Sequence, residues 1–83
     1  MIVKTEQVVS NVHKEPSAYF IRKMVDVLKK QGQIQPLQVR RSEHNEYIYQ
    51  TFKQDVFAAE TIMAARQLGW PTILITIVDR YEE

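Results

Sequence analysis

Residues 28–41 read LKKQGQIQPLQVRR, and the reading of this stretch decides the fold. Two lysines followed by a glycine describe the end of a helix. Lys29 and Lys30 complement the carbonyl end of the helix dipole, and Gly32 can take the left-handed conformation that stops the last turn. Pro36 then biases Gln35 towards extended geometry, and Leu37 and Val39 alternate with Gln38 and Arg40 as on a strand with one buried face. The stretch is a helix-to-strand junction that finishes on two adjacent arginines, Arg40 and Arg41.

Upstream, Phe20, Ile21, Met24, Val25, Val27 and Leu28 recur at three- and four-residue steps, which predicts an amphipathic helix beginning near residue 16 or 17 and running to 31. Pro16 suits its first turn, with Glu15 or Ser17 as the cap. Before it, residues 2–9 (IVKTEQVV) fit a short strand or an extended arm. Downstream, SEHN is a polar turn and EYIYQT (46–51) a second strand, giving a hairpin in which Tyr47 and Tyr49 share a face.

Residues 54–68 (QDVFAAETIMAARQL) predict a second helix, stopped by Gly69 with Pro71 just beyond. Residues 72–78 (TILITIV) form a last strand, apolar on both faces and so placed centrally in the sheet. The order is β-α-β-β-α-β. The class is α+β, with a small mixed sheet and two main helices in a single domain covering residues 1–83.

With 45% hydrophobic and 25% charged residues among 83, the composition is that of a folded domain rather than a disordered chain. The absence of cysteine excludes a disulfide framework, a thiolate metal site and a cysteine nucleophile together. Lys4 and Glu6 interrupt the amino-terminal segment where a signal peptide needs an apolar run, so the expectation is a soluble, cytoplasmic protein without a membrane partner. A net charge of +1 gives no general attraction to polyanions, and any such site must be a local patch.

Little in the sequence points to catalysis. His13 and His44 fall in separate connections without acidic partners at ligand spacing, so neither a metal nor a general base is expected there. Asp55 and Glu60, five residues apart on a helix, point in different directions and cannot act as a carboxylate pair. Trp70 follows the helix-stopping glycine and is expected to pack against the end of the sheet. No cofactor is implied.

The second helix is apolar nearly all round. Ala58, Ile62 and Ala65 form a stripe of mostly small residues that permits close approach, which makes them a candidate interface for a homo-oligomer or a protein partner.

The segment QGQIQPLQVR and the terminal AARQLGWPTILITIVD resemble the ParB/sulfiredoxin-like superfamily, specifically the amino-terminal domain of ParB. The matching positions are Gly32, Pro36, Val39, Arg40, Ala64, Ala65, Leu68, Gly69 and residues 73–78. The resemblance implies a phosphate-binding turn after the hairpin strand, built in that family from a glycine, an acidic residue or histidine, and two arginines. Sulfiredoxins carry Gly-Cys-His-Arg there. This chain has Thr51-Phe52-Lys53-Gln54-Asp55, a degenerate form without glycine or arginine.

A glycine at such a turn lets the backbone approach a phosphate, and paired arginines grip it in bidentate fashion; Lys53 offers one compact charge and Gln54 none. The resemblance therefore implies a non-catalytic ParB-like binding module with a regulatory or DNA-segregation role, such as plasmid partition. Its candidate phosphate or nucleic-acid contacts are Arg40, Arg41, Lys53 and Gln54. The alternatives are a protein-interaction subunit assembling through the second helix, or a nucleotide-dependent enzyme such as a nuclease or nucleotidase.

Overall fold

The computed structural model describes residues 1–12, 14–33 and 35–78. Its elements are β1 (Ile2–Lys4), a 3-10 turn (Thr5–Gln7), β2 (Val8–Val9), α1 (Ala18–Gln31), β3 (Leu37–Arg41), β4 (Tyr49–Thr51), α2 (Val56–Gln67) and β5 (Thr72–Ile77). The strands form one mixed sheet in the order β1-β5-β3-β4-β2. β5 pairs antiparallel with β1 and parallel with β3, β3 pairs antiparallel with β4, and β4 pairs parallel with β2. The α+β class and the two helices are as the sequence predicts.

Both helix stops fall on the predicted glycines, Gly32 at φ 71° and Gly69 at φ 72°, a region in which a side chain is strained. At the other end of α1 the cap is Ser17, whose hydroxyl accepts from the Phe20 amide at 3.4 Å.

Three local expectations are corrected. Residues 2–9 are not one strand: the 3-10 turn divides them, and β1 and β2 lie at opposite edges of the sheet. β4 spans only Tyr49–Thr51, so Tyr47 sits exposed in the turn while Tyr49 is buried, and the two share no strand face. β5 does lie inside the sheet, yet Ile73 and Ile75 are buried while Thr76 is exposed, so one face rather than both is covered.

The split amino-terminal strand constrains the shape of the sheet. Lys4 and Val8 are four residues apart, at most about 14 Å of chain. Five strands spaced about 4.8 Å apart in a flat sheet would hold the edges about 19 Å apart. The sheet must therefore coil until its edges approach. The crossing is fastened at the carboxyl end of α2: the Thr5 hydroxyl donates to the Trp70 carbonyl at 2.7 Å, the Thr5 amide to the Pro71 carbonyl at 3.0 Å, and the Arg66 guanidinium to the Val8 carbonyl at 2.8 Å.

The core lies between one face of this sheet and the two helices. Leu37, Val39, Tyr49, Ile73 and Ile75 from the strands meet Met24 and Leu28 from α1 and Ala58, Ile62, Ala64 and Ala65 from α2. Each large aliphatic side chain fully buried there, such as Ile62 or Ile75, contributes about 1.5–3 kcal/mol. No described helix is long and apolar enough to cross a membrane.

The junction quoted at the outset has its own fastening. The Gln33 side-chain amide accepts from the Leu74 amide at 2.7 Å and donates to the Leu74 carbonyl at 2.9 Å and the Gln35 carbonyl at 3.0 Å. A side chain thus extends the β3 side of the β5 ladder before β3 begins. Gln33→Ala, which leaves the Leu74 backbone groups without these partners, is expected to lower unfolding free energy in urea by about 1–3 kcal/mol. A loss indistinguishable from zero would show that water replaces the amide at no cost.

Candidate functional site

The turn between β4 and α2 is where the sequence pattern places phosphate chemistry, and its geometry follows from the residues that fill it. Thr51 is fully buried, and its hydroxyl accepts from the Asn11 amide at 3.0 Å, which ties the β2–α1 connection to the hairpin. The Asp55 amide donates to the Phe52 carbonyl and the Val56 amide to the Gln54 carbonyl, each at 3.1 Å, so the backbone closes on itself. Asp55 is the N-cap of α2, accepting from the Ala58 amide through Oδ1 at 2.9 Å.

That cap has an electrostatic consequence. The amino end of a helix attracts anions through its orphan amides and dipole. Here a carboxylate of the chain itself occupies the position and satisfies the Ala58 amide. A phosphate approaching the same end would meet the charge of Asp55.

The four predicted phosphate contacts are spread along the hairpin. Arg40 lies opposite Gln50 on the sheet face away from the helices, where it also approaches Glu43 at 3.7 Å. Arg41 shares the parity of Leu37 and Val39 and lies exposed at the hairpin end, opposite Tyr49. Lys53 and Gln54 follow β4 at its other end, with Lys53 half-buried and Gln54 exposed. The register sets Arg40 and Arg41 beside Gln50 and Tyr49 on alternate faces of β3, while Lys53 lies four positions beyond Tyr49, up to about 13 Å along the chain.

The predicted interface residues are corrected more sharply. Ala58, Ile62 and Ala65 are 1%, 0% and 0% exposed and belong to the chain's own core. Their stripe is covered within the chain because α2 is enclosed by the sheet together with α1, so no second subunit can reach it in the folded state. Thr61, on the groove side of α2, is also buried and turns its hydroxyl back to the Phe57 carbonyl at 2.9 Å.

His44 is exposed in the hairpin turn, and His13 lies outside the described residues. Among the described residues no three His, Asp or Glu side chains converge as metal ligands. Trp70 packs against the edge of the core, as expected.

A feature the sequence reading did not pick out is a groove of about 320 Å³ between the helices, lined by Met24, Val27, Leu28, Phe57, Thr61 and the Gly32–Gln33 corner. One of its lining residues, Val27, stands on α1 beside the Met24 and Leu28 stripe that covers the sheet, and it is exposed.

No protein-family model and no curated sequence matches this chain. Solved structures do. ParB from Caulobacter crescentus, a chromosome-partitioning protein crystallised in C-terminally truncated form with CTP-gamma-S, superposes with a TM-score of 0.80 at 16% identity over 99% of this chain and 45% of that one. The same protein bound to its centromeric parS site gives 0.74 at 18% identity, over 94% and 40% of the two chains. Sulfiredoxin from Arabidopsis thaliana gives 0.71 at 20% identity, over 96% and 86%.

The chain has the ParB/sulfiredoxin-like fold, and it spans less than half the length of the two ParB chains. Its folded state leaves no room for a charge at Ala65 on the buried side of α2. Ala65→Glu, which puts a carboxylate at a fully buried position, is expected to unfold the protein, as read by circular dichroism. A variant that stays folded and merely changes its sedimentation coefficient would contradict this placement of α2.

Proposed function

We propose that the chain is a non-catalytic ParB-like binding module with a regulatory or DNA-segregation role, and that it contacts nucleic acid through separate phosphate contacts rather than through a nucleotide pocket. The observation that carries the reading is the β4–α2 turn. It combines a ParB-like fold with a helix amino terminus capped by its own carboxylate, and it contains neither glycine nor arginine. A turn so arranged has little left with which to hold and orient a nucleotide triphosphate.

The distribution of cations fits a backbone-tracking contact. Arg40 and Arg41 on β3 and Lys53 with Gln54 before α2 are spread over a span of up to about 13 Å, within which a duplex presents several phosphates at one charge per ~1.7 Å. Such contacts position a protein on nucleic acid without reading sequence. In this reading, sequence preference comes from a partner or from chain outside this domain. The ParB parS complex supports the choice of nucleic acid over other polyanions by analogy of fold.

The test is a fluorescence-anisotropy titration of labelled duplex and single-stranded DNA at several salt concentrations. Binding to duplex should weaken with salt with a logarithmic slope of about −2 to −3, at about −0.9 per phosphate contact. Arg41→Ala and Lys53→Ala should each reduce the magnitude of the slope by about one. No saturable binding at low salt would overturn the reading.

A further inference from the structure

The two helices leave five large apolar side chains in solvent: Tyr19, Phe20 and Val27 on α1, and Val56 and Phe57 on α2. Covering the sheet does not require them, since Met24 and Leu28 do that for α1 and Ala58, Ile62 and Ala65 for α2. Val27 and Phe57, 42% and 57% exposed, line the groove between the helices together with Met24, Leu28 and Thr61. The lining is mostly apolar, with Thr61, whose hydroxyl is returned to the Phe57 carbonyl, and the Gln33 and Gln35 corner as its polar members. A phosphate gains little from a surface without a cation in its lining.

The groove extends along α1 from Met24 to Gly32, about 12 Å at 1.5 Å per residue. That length suits two or three side chains spaced at i, i+4 and i+7 on a docked helix, which cover about 10 Å. Its volume of about 320 Å³ is at the bottom of the range for enclosed small-molecule sites, and the exposed residues along its lining favour an extended occupant over a compact one.

Charge decides which helix. Lys23 and Lys30 lie four residues before and three after Val27, so both flank it on the same side of α1. Lys23 is held over the Tyr19 ring at 4.8 Å. With Arg22 and Lys29, α1 carries four cations against the single carboxylate of Asp26, in a chain whose net charge is only +1. A second copy docked about a two-fold axis would place these lysine rows against each other, which works against a self-dimer through this surface.

We propose that the α1/α2 groove binds an acidic amphipathic helix of another protein. Apolar anchors of that helix enter between Val27 and Phe57, and its carboxylates meet Lys23 and Lys30. This goes beyond the nucleic-acid reading and is independent of it, because none of the groove residues is among the proposed phosphate contacts.

The test uses the purified chain and a fluorescein-labelled helical peptide of about 16 residues, with leucines at i, i+4 and i+7 spacing and glutamates on both flanks. Saturable binding is expected, weakened about tenfold or more by Val27→Asp and by Phe57→Asp. Both positions are exposed, so the melting temperature should stay near that of the parent chain, and Val27→Ala provides a milder check should the charged variant unfold. Lys23→Glu combined with Lys30→Glu should weaken binding, and a control peptide with lysines in place of the glutamates should bind far less.

Equal binding of the two peptides, indifference to Val27→Asp, or no binding would each overturn the proposal. So would a parent protein that sediments as a dimer and becomes monomeric on Val27→Asp, since the occupant would then be a second copy.

Discussion

The enclosure of α2 is the constraint on which the rest of the molecule depends. Six of its twelve residues are buried, including four alanines, and they point around most of the helix circumference. A single flat sheet could cover only one side of such a helix. Here the sheet coils, α1 closes another flank, and the crossing from β1 to β2 passes the carboxyl end, where Arg66 and Trp70 hold it. Alanine is the residue that permits this, because it forms helix well and lets neighbouring backbones come close. The curvature of the sheet and the packing of α2 are two views of the same requirement.

Fixing α2 in this way fixes both surfaces that face outward from it. Its amino end is aimed at the turn after β4, where the helix dipole would suit an anion, and there Asp55 supplies a carboxylate from within the chain. Thr51, just upstream, has its hydroxyl tied to Asn11 and its side chain in the core. The turn is therefore a structural corner in which the Asp55, Val56 and Ala58 amides are already hydrogen-bonded within the chain. Phe57, in the first turn of the helix, stands on the opposite terms: it is exposed, apolar and beside α1. At this end of α2 the chain's own carboxylate caps the helix, while the groove beside Phe57 offers apolar contact.

Much of the architecture was legible in the sequence because it rests on local chemistry. Gly32 and Gly69 ended the helices as their positive φ demands, and the alternation of Leu37 and Val39 with Gln38 read correctly as a half-buried strand. What depended on long-range pairing was not legible. Nothing in IVKTEQVV reveals that its halves join opposite edges of a sheet, since both pairings involve residues more than forty positions away. Gln33 gave no sign that its amide completes the β5 ladder. The Ala58, Ile62 and Ala65 stripe was correctly read as requiring burial, but burial inside the chain and burial against a partner leave the same mark on a sequence. The candidate phosphate residues Arg40, Arg41, Lys53 and Gln54 were named from the sequence without their positions along the hairpin. Their separation along the hairpin only became visible with the strand register.

The central claim is that the β4–α2 turn serves as a helix cap rather than as a nucleotide pocket. The most direct measurement is a titration of the isotopically labelled protein with CTP and with ATP, each with magnesium, followed through the backbone amide resonances of residues 51–58. The account predicts no saturable shift at millimolar nucleotide, with the Ala58 amide unchanged because Asp55 retains it. Saturable shifts centred on Lys53 through Ala58 would contradict the account, since they would mean that a nucleotide displaces the cap and is held at the turn.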